Sequence, residues 1–217
     1  ISSIIHTSTS EVYGDATRMP ISEKTLPYAK SPYAATKIGA DQIAQSYHST
    51  YGLPVSIIRP FNTYGPRQSA RAIIPSVISQ IENKNEFIKL GSLHPTRDFS
   101  YIEDTVQGFL RAINNKRTIG EVINLGSGFE ISIGDTVNLI SQIMGREIKI
   151  EVDDNRIRPP KSEVERLFAC NKKAKLLMDW SPKFSGIKGF REGLVNTISW
   201  FIKDENLSKI NTNIYNI

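Results

Sequence analysis

The chain of 217 residues contains very few of the side chains that form disulfides or bind transition metals. Cys170 is its only cysteine, so no disulfide can form within the chain, and this scarcity is typical of proteins from a reducing cytosol. The three histidines, His6, His48 and His94, are far apart and lack the close spacing with cysteines that structural zinc sites have. We therefore expect a cytoplasmic protein that binds no metal.

Long hydrophobic runs and a concentrated charge of one sign are also missing. No apolar stretch approaches the roughly 20 residues that a membrane-spanning helix needs, and no leader with a basic start and an apolar centre is visible. The net charge of +5 is spread along the chain. Its densest run, Lys172, Lys173 and Lys175, fits a solvated helix face better than a basic stripe interleaved with aromatic residues. We expect neither a membrane nor a nucleic acid as partner.

A third absence is the glycine-rich loop that binds dinucleotides. Gly126 and Gly128 form the only G-x-G of the chain, and Ile131 stands where G-x-G-x-x-G requires its last glycine. We interpret this segment as a turn after a strand rather than as a phosphate cradle. The chain also begins with Ile1 next to a strand-like run, which suggests the hypothesis that it is a piece of a longer protein.

Apolar periodicity predicts alternating strands and helices, which is typical of α/β units with a parallel sheet. Short apolar runs predict strands over residues 3–7, 54–60, 121–126 and 147–152. Apolar positions three and four residues apart predict helices over residues 33–50, 72–83, 104–114, 133–144 and 187–203.

The stretch TSTSEVYG, residues 7–14, follows the first predicted strand and places one acid, Glu11, among Thr7, Ser8, Thr9 and Ser10. A plain turn does not need this acid, whereas a catalytic shelf at the edge of a sheet does. The alternative is that Glu11 is an ordinary surface acid in a turn.

The stretch SPYAATK, residues 31–37, predicts the start of a helix that presents a tyrosine and a lysine together. Ser31 is a favourable N-cap and Pro32 suits the first helical position. Tyr33 and Lys37 are four residues apart and share a helix face. A lysine cation beside a phenol favours the phenolate, which is a base able to take a proton from a sugar hydroxyl. The spacing alone is weak evidence, because it also arises by chance.

Taken together, these motifs resemble the extended short-chain dehydrogenase/reductase family. Its pattern continues in RPFNTYGPR at 59–67, TRDFSYIED at 96–104, INLGSG at 123–128 and NKKAKLLMDWSPK at 171–183. Within this family the chain is similar to the nucleotide-sugar 4,6-dehydratases, and especially to those that act on UDP- or GDP-linked N-acetylglucosamine in legionaminic-acid synthesis.

The resemblance implies an α/β fold: the C-terminal part of a Rossmann-like, doubly wound parallel sheet, with a smaller α/β lobe for the nucleotide sugar. We expect residues 1–65 to belong to the Rossmann domain, residues 66–207 mainly to the substrate lobe with some elements returning to the sheet, and residues 208–217 to form a tail. The family's dinucleotide-binding half lies upstream of this pattern and is missing here. Residues 1–217 alone are therefore expected to bind NAD poorly and to be inactive.

The resemblance also implies an activity: NAD-dependent oxidation at C4 of the sugar, loss of water across C5–C6, and reduction at C6. Tyr33 would be the base at the C4 hydroxyl, and Lys37 would hold the nicotinamide ribose. Thr9 would bind the C4 oxygen, and Glu11 would remove the C5 proton. Ser10 replaces an aspartate that one branch of the family uses as the proton donor to the leaving hydroxyl, which puts a dTDP-hexose substrate in doubt.

Further residues are assigned to binding by the same resemblance. The expected cofactor contacts are Tyr33, Lys37, Arg59 and Phe61, and the expected contacts with the nucleotide-diphosphate sugar are Asn62, Arg97, Arg158 and Glu163. The resemblance further implies a homodimer that pairs through a four-helix bundle including the helix at 33–50. Surface salt bridges are the alternative role for Arg97 and Arg158.

Three other functions stay open at this point. UDP-glucuronate decarboxylases and UDP-sugar 4-epimerases share the Thr-Ser-Glu and Tyr-x-x-x-Lys patterns. A module that binds NAD or a nucleotide sugar without catalysis is the third alternative, and it predicts that Tyr33→Phe leaves function intact.

Overall fold

A computed structural model describes residues 1–157, 159 and 161–207. The helices are α1 (Pro32–Tyr51), α2 (Ile73–Glu82), α3 (Ile102–Ile113), α4 (Ile133–Met144), α5 (Lys172–Met178), α6 (Gly186–Phe201) and α7 (Asp204–Leu207). The strands are β1 (Ile4–Thr7), β2 (Val55–Pro60), β3 (Asn62–Tyr64), β4 (Phe87–Leu90), β5 (Thr96–Tyr101), β6 (Val122–Leu125), β7 (Glu130–Ser132), β8 (Lys149–Val152) and β9 (Arg166–Leu167). Short 3₁₀ helices cover Ser10–Tyr13, Lys116–Thr118 and Asp154–Arg156.

A parallel sheet in the order β1-β2-β6 forms the first layer. Ile4 of β1 pairs with Val55 of β2, and Ile57 of β2 pairs with Val122 of β6. Helix α1 connects β1 to β2, as parallel neighbours require a crossover of this kind. The strands and helices predicted from periodicity are confirmed, and so is the α/β fold class with a Rossmann-like parallel sheet.

Two further sheets contain strands that periodicity did not predict. One has the order β3-β5-β7, with β9 added beside β5, and the other pairs β4 with β8 in parallel. Strand β5 escaped prediction because its sequence, TRDFSY, is mostly polar although Asp98 and Ser100 are buried. Strands β3, β7 and β9 have only two or three residues, which is too short to show a period. The domain boundaries given above stay a prediction.

The largest apolar core lies between helices α2, α4 and α6 and the strands of these smaller sheets. Val77 and Ile78 of α2, Val137 of α4 and Leu194 of α6 are fully buried in it. Burying each of these side chains contributes about 1.5 to 3 kcal/mol. The packing of α2 in this core fixes the position of its N-terminal end.

The turn after β6 is held by a buried aspartate, Asp98 of β5. Its Oδ1 accepts hydrogen bonds from the backbone N–H and the hydroxyl of Ser127, and its Oδ2 accepts from the N–H groups of Gly128 and Ala169. Burial raises the pKa of Asp98 to about 6, against the opposing effect of these hydrogen bonds. The N–H groups of Ser127 and Gly128 in this turn are thus already bonded to Asp98. This supports the interpretation of residues 126–128 as a structural turn rather than a phosphate cradle.

None of the helices in the described part of the chain is long and apolar enough to cross a membrane.

Candidate functional site

A small cleft, which we call the hydroxyl cleft, opens where β1 and β2 end. It has a volume of about 270 Å³. Residues 7–11, Tyr33 and residues 60–63 line it. The carboxyl ends of neighbouring parallel strands meet at one sheet edge. Residues 7–11, at the end of β1, and residues 60–63, at the end of β2, therefore supply one site. The stretch TSTSEVYG and Tyr33 of the stretch SPYAATK thus line the same cleft.

The shelf that carries the acid is a single turn of 3₁₀ helix, Ser10–Tyr13, which begins directly after Thr9. The Thr9 hydroxyl oxygen accepts a hydrogen bond from the Glu11 N–H at 3.2 Å and so caps this turn. Its own hydrogen remains available to donate to a ligand oxygen. Gly14 ends the turn with a positive φ of 54°, and a Cβ there would lie 2.4 Å from the Tyr28 carbonyl oxygen.

Helix α1 presents Tyr33 to the other side of the hydroxyl cleft. The Ser31 hydroxyl accepts from the Ala34 N–H at 3.1 Å, which confirms Ser31 as the N-cap, and Pro32 follows at the first helical position. Tyr33 is 50% exposed. The Lys37 ammonium donates to the Thr7 carbonyl oxygen at 3.0 Å and so lies at the end of β1.

A second tyrosine close to this site has a different role. The Tyr13 ring is 1% exposed and its hydroxyl donates to Asn124 Oδ1 at 2.7 Å. Burial raises the pKa of Tyr13, partly offset by the neighbouring Arg59. The Tyr13 phenol is therefore neutral and already hydrogen-bonded to Asn124. Tyr33 is the tyrosine that lines the cleft.

Ser10 and Phe61 also line the hydroxyl cleft, but both are almost completely buried. The Phe61 N–H donates to the Leu125 carbonyl oxygen and fixes the end of β2 next to β6. The two residues form the floor of the cleft rather than its rim.

The position of Arg59 does not favour the expected contact with a cofactor. Arg59 lies in the central strand β2 with its side chain 4% exposed. Its guanidinium donates twice to Asp41 Oδ2, at 3.1 and 2.8 Å, and lies over the Tyr13 ring, 4.8 Å from the ring centre. A guanidinium that is sealed and paired in this way serves the packing beneath the cleft and is not offered to a ligand.

A second, larger cleft of about 410 Å³ adjoins the first, and we call it the arginine cleft. Its charged lining residues are Arg71, Arg97, Arg156 and Glu163. Asn62 and Thr63 line both clefts and connect them. Of the residues assigned to substrate binding, the structure thus brings Asn62, Arg97 and Glu163 together, while Arg158 lies outside the described residues.

An ion pair occupies the centre of this lining. Arg97 donates to Glu163 at 2.7 Å, and their side chains are only 11% and 13% exposed. Arg156 pairs with Asp153 at 3.2 Å. The Lys30 ammonium donates to the Glu163 carbonyl oxygen and ties the segment around 163 to the loop before α1.

Several cleft residues were missed by the sequence analysis. Gln68 and Arg71 come from the loop before α2, and Arg156 comes from the 3₁₀ turn after β8. The Gln68 amide donates to the Thr63 carbonyl oxygen at 2.9 Å and closes this loop. Gln68 and Arg71 stand in QSAR, the continuation of RPFNTYGPR, but that motif gave neither residue a role, and Arg156 lies outside it.

Comparisons with known proteins identify relatives of this chain. The family model described as GDP-mannose 4,6 dehydratase matches residues 2–193. The dTDP-D-glucose 4,6-dehydratase of Homo sapiens is 30% identical over 206 residues, which are 93% of this chain and 57% of that protein. The chain thus spans less than two thirds of the length of such relatives.

Solved structures give the same result. The dTDP-glucose 4,6-dehydratase from Bacillus anthracis, in complex with NAD, superimposes with a TM-score of 0.84 at 29% identity, covering 94% of this chain and 62% of that one. UDP-glucuronic acid 4-epimerase from Bacillus cereus, in complex with UDP-glucuronic acid and NAD, gives a TM-score of 0.82 at 30% identity, covering 95% and 62%. The chain belongs to the GDP-mannose 4,6-dehydratase family of extended short-chain dehydrogenases/reductases.

Proposed function

We propose that the protein containing this chain is an NAD-dependent nucleotide-sugar 4,6-dehydratase, with UDP- or GDP-N-acetylglucosamine as its substrate class. The observation that carries the proposal is that Thr9, Glu11 and Tyr33 line one small cleft. This cleft offers a phenol, a carboxylate and a donating hydroxyl, which are the groups needed to oxidise a sugar alcohol and then to eliminate water.

Tyr33 accepts the proton of the C4 hydroxyl as that carbon is oxidised to a ketone. The Thr9 hydroxyl, whose acceptor side is used by the Glu11 N–H, donates to the same C4 oxygen. Lys37 is held at the end of β1 by the Thr7 carbonyl and so supplies a positive charge on the side of α1 that carries Tyr33.

Glu11 removes the proton at C5, which the neighbouring C4 ketone makes acidic. The hydroxyl at C6 leaves as water with one proton, and reduction at C6 together with reprotonation at C5 completes the 4-keto-6-deoxy sugar. Ser10 is a poor acid, so Glu11, in its protonated form after the first step, is our proposed donor to the leaving hydroxyl. Glu11 thereby moves the C5 proton to the leaving hydroxyl without a second acid in the cleft, and the proton that C5 regains is balanced by the one released from the C4 hydroxyl to Tyr33.

When bound, NAD would supply the hydride acceptor for oxidation at C4 and the hydride donor for reduction at C6. The residues of this chain fit that group: the Lys37 ammonium uses one of its three N–H bonds on Thr7 and keeps two for ribose hydroxyls. Phe61 forms the apolar floor of the cleft. The pyrophosphate of NAD is assigned to a part of the full-length protein that residues 1–217 do not include, so we expect this chain alone to be inactive.

The arginine cleft is the proposed site of the substrate's own pyrophosphate. A planar guanidinium suits phosphate oxygens, and Arg71, Arg97 and Arg156 line this cleft. Asn62 connects this region to the hydroxyl cleft, where the hexose would lie. We keep Arg158 as a further proposed phosphate ligand.

The experiment that tests the proposal is mass analysis of the product after the full-length protein is incubated with UDP- and GDP-N-acetylglucosamine. Loss of one water from either substrate is the expected result, and the substrate that reacts identifies the nucleotide. In the Glu11→Gln variant we expect oxidation at C4 without loss of water, because the C5 base is gone. An unchanged product mass with inverted C4 would contradict the proposal.

The second candidate is a UDP-sugar 4-epimerase, favoured by the likeness to the Bacillus cereus enzyme. An epimerase needs the Tyr33 base but no base at C5, so its turnover would be insensitive to Glu11→Gln. A decarboxylase would instead release CO2 from UDP-glucuronate.

A homodimer and a cytosolic location remain part of the proposal. Ile43, Tyr47 and Tyr51 of α1 are apolar or aromatic side chains that are 52 to 76% exposed, as expected of a helix that pairs with a partner helix. The single cysteine suits a reducing cytosol.

A further inference from the structure

A buried carboxylate, Asp41, lies directly beneath the hydroxyl cleft and has no role in the steps above. It follows Lys37 by four residues, as Lys37 follows Tyr33, so the three side chains lie one above another on one face of α1. Asp41 is completely buried. A buried charge is costly unless it is paired and hydrogen-bonded, so its partners indicate what it is for.

The Asp41 carboxylate joins three elements. Its Oδ2 accepts from the Ser8 hydroxyl at 2.9 Å, at the end of β1, and from the guanidinium of Arg59 in β2. Its Oδ1 lies 3.0 Å from Nε2 of His6, also in β1. One side chain of α1 is thereby tied to both strands whose ends form the cleft.

The bond to Ser8 is the one closest to the chemistry. Ser8 lies between Thr7, whose carbonyl oxygen accepts from Lys37, and Thr9, which caps the turn bearing Glu11. Helix α1 is therefore fastened to two consecutive residues directly before the shelf and its cap, by Lys37 to Thr7 and by Asp41 to Ser8. Two attachments one helical turn apart fix both the rotation and the axial position of α1, and with them the position of Tyr33.

We propose that Asp41, acting through Ser8, is a positioning residue that aligns Tyr33 with Thr9 and Glu11. This inference rests on one part of the proposed function, namely that Tyr33 acts on a substrate held by the shelf. A misplacement of about 1 Å in such an arrangement costs on the order of a hundredfold in rate. The effect falls on turnover and not on binding, since Asp41 itself is sealed from any ligand.

The test compares two serines in the full-length protein. Ser8→Ala removes the bond to Asp41 and leaves the ion pair between Asp41 and Arg59 intact. Ser56→Ala is the matched control: Ser56 is also fully buried in the same sheet, and its hydroxyl donates to Thr118 at 2.9 Å. Each variant loses one buried hydrogen bond, so we expect similar small losses of thermal stability.

For Ser8→Ala we expect kcat to fall about tenfold to a hundredfold with KM nearly unchanged, and for Ser56→Ala no change in either constant. Backbone amide exchange at residues 8–11 should become faster only in Ser8→Ala, and Ser8→Thr, which keeps the hydroxyl, should recover part of kcat. Equal kcat values in the two alanine variants, or a rise in KM alone, would overturn the inference.

The outcome is separable from that of the proposed function. If the wild-type product proves to be an epimer, the dehydratase proposal fails, yet the difference in kcat between the two serine variants still measures the alignment of Tyr33. If the product is dehydrated and the two variants turn over equally, the positioning role fails alone.

Discussion

The hydroxyl cleft and the arginine cleft are neighbours, but they are constructed differently. Nine of the hydroxyl cleft's ten lining residues come from two short stretches, residues 7–11 and 60–63, with Tyr33 facing them. The arginine cleft takes its charged residues from the loop before α2, from β5 and from the segment at 153–163. Both clefts join segments that are distant in sequence, but the hydroxyl cleft is lined mainly by two contiguous stretches, whereas the arginine cleft takes single charged residues from several segments.

Two buried aspartates lie close to the cleft residues in sequence or space, and they are bound differently. Asp41 beneath the hydroxyl cleft is held by side chains, among them the cation of Arg59. Asp98, next to Arg97 in β5, is held mainly by backbone N–H groups. The difference teaches that Asp41 connects a helix to two strands through side chains, whereas Asp98 holds the backbone of the turn after β6.

The largest effect that this comparison predicts concerns the hydroxyl cleft. Tyr33→Phe should lower kcat of the full-length protein about a hundredfold to ten-thousandfold, because the proton acceptor at C4 is lost. Steady-state kinetics measures the fall in kcat. Calorimetry measures substrate binding, which should be nearly unchanged. Tyr28→Phe, at an exposed tyrosine that lines neither cleft, is the control and should be neutral. Equal activity of the two variants would favour a non-catalytic binding module.

The second predicted effect concerns Asp98, which holds the turn after β6, and it is an effect on stability. Asp98→Asn replaces one carboxylate oxygen by an NH2 group that faces N–H donors, so at least one backbone N–H is left unpaired. We expect a loss of about 2 to 4 kcal/mol in the free energy of unfolding, from urea denaturation. Asp135→Asn, at the exposed start of α4, is a control with a much smaller expected loss. A loss of equal size in both variants would show that Asp98 is not special.

The smallest effect is expected from the lining of the arginine cleft. Arg97→Gln should weaken binding of the nucleotide sugar about tenfold to a hundredfold, with kcat much less affected, because a charge-assisted contact to phosphate is lost. It also leaves Glu163 without its cation. The double variant with Glu163→Gln removes both charges of this pair, so it should regain thermal stability but not affinity. Recovery of affinity in the double variant would mean that Arg97 serves only to neutralise Glu163.

The sequence was informative wherever function and local structure coincide. Ser31 and Pro32 start a helix by their own chemistry, so Tyr33 and Lys37 could be assigned to one helix face from their spacing alone. Arg59 was assigned to the cofactor because the RPFNTYGPR motif does not reveal which of its side chains lies inside the central strand. Its burial follows from pairing with both β1 and β6, which is a non-local property.

By itself, the sequence determined the alternation of strands and helices, the shelf at Thr9 to Glu11 and the Tyr33–Lys37 pair, because each depends on contacts within a few residues. Only the tertiary structure decided that these two motifs share one cleft, that Asp41 ties them together, and that Gln68, Arg71 and Arg156 line the second cleft. Those facts depend on which strand ends become neighbours in a sheet, and no spacing along the chain encodes that directly.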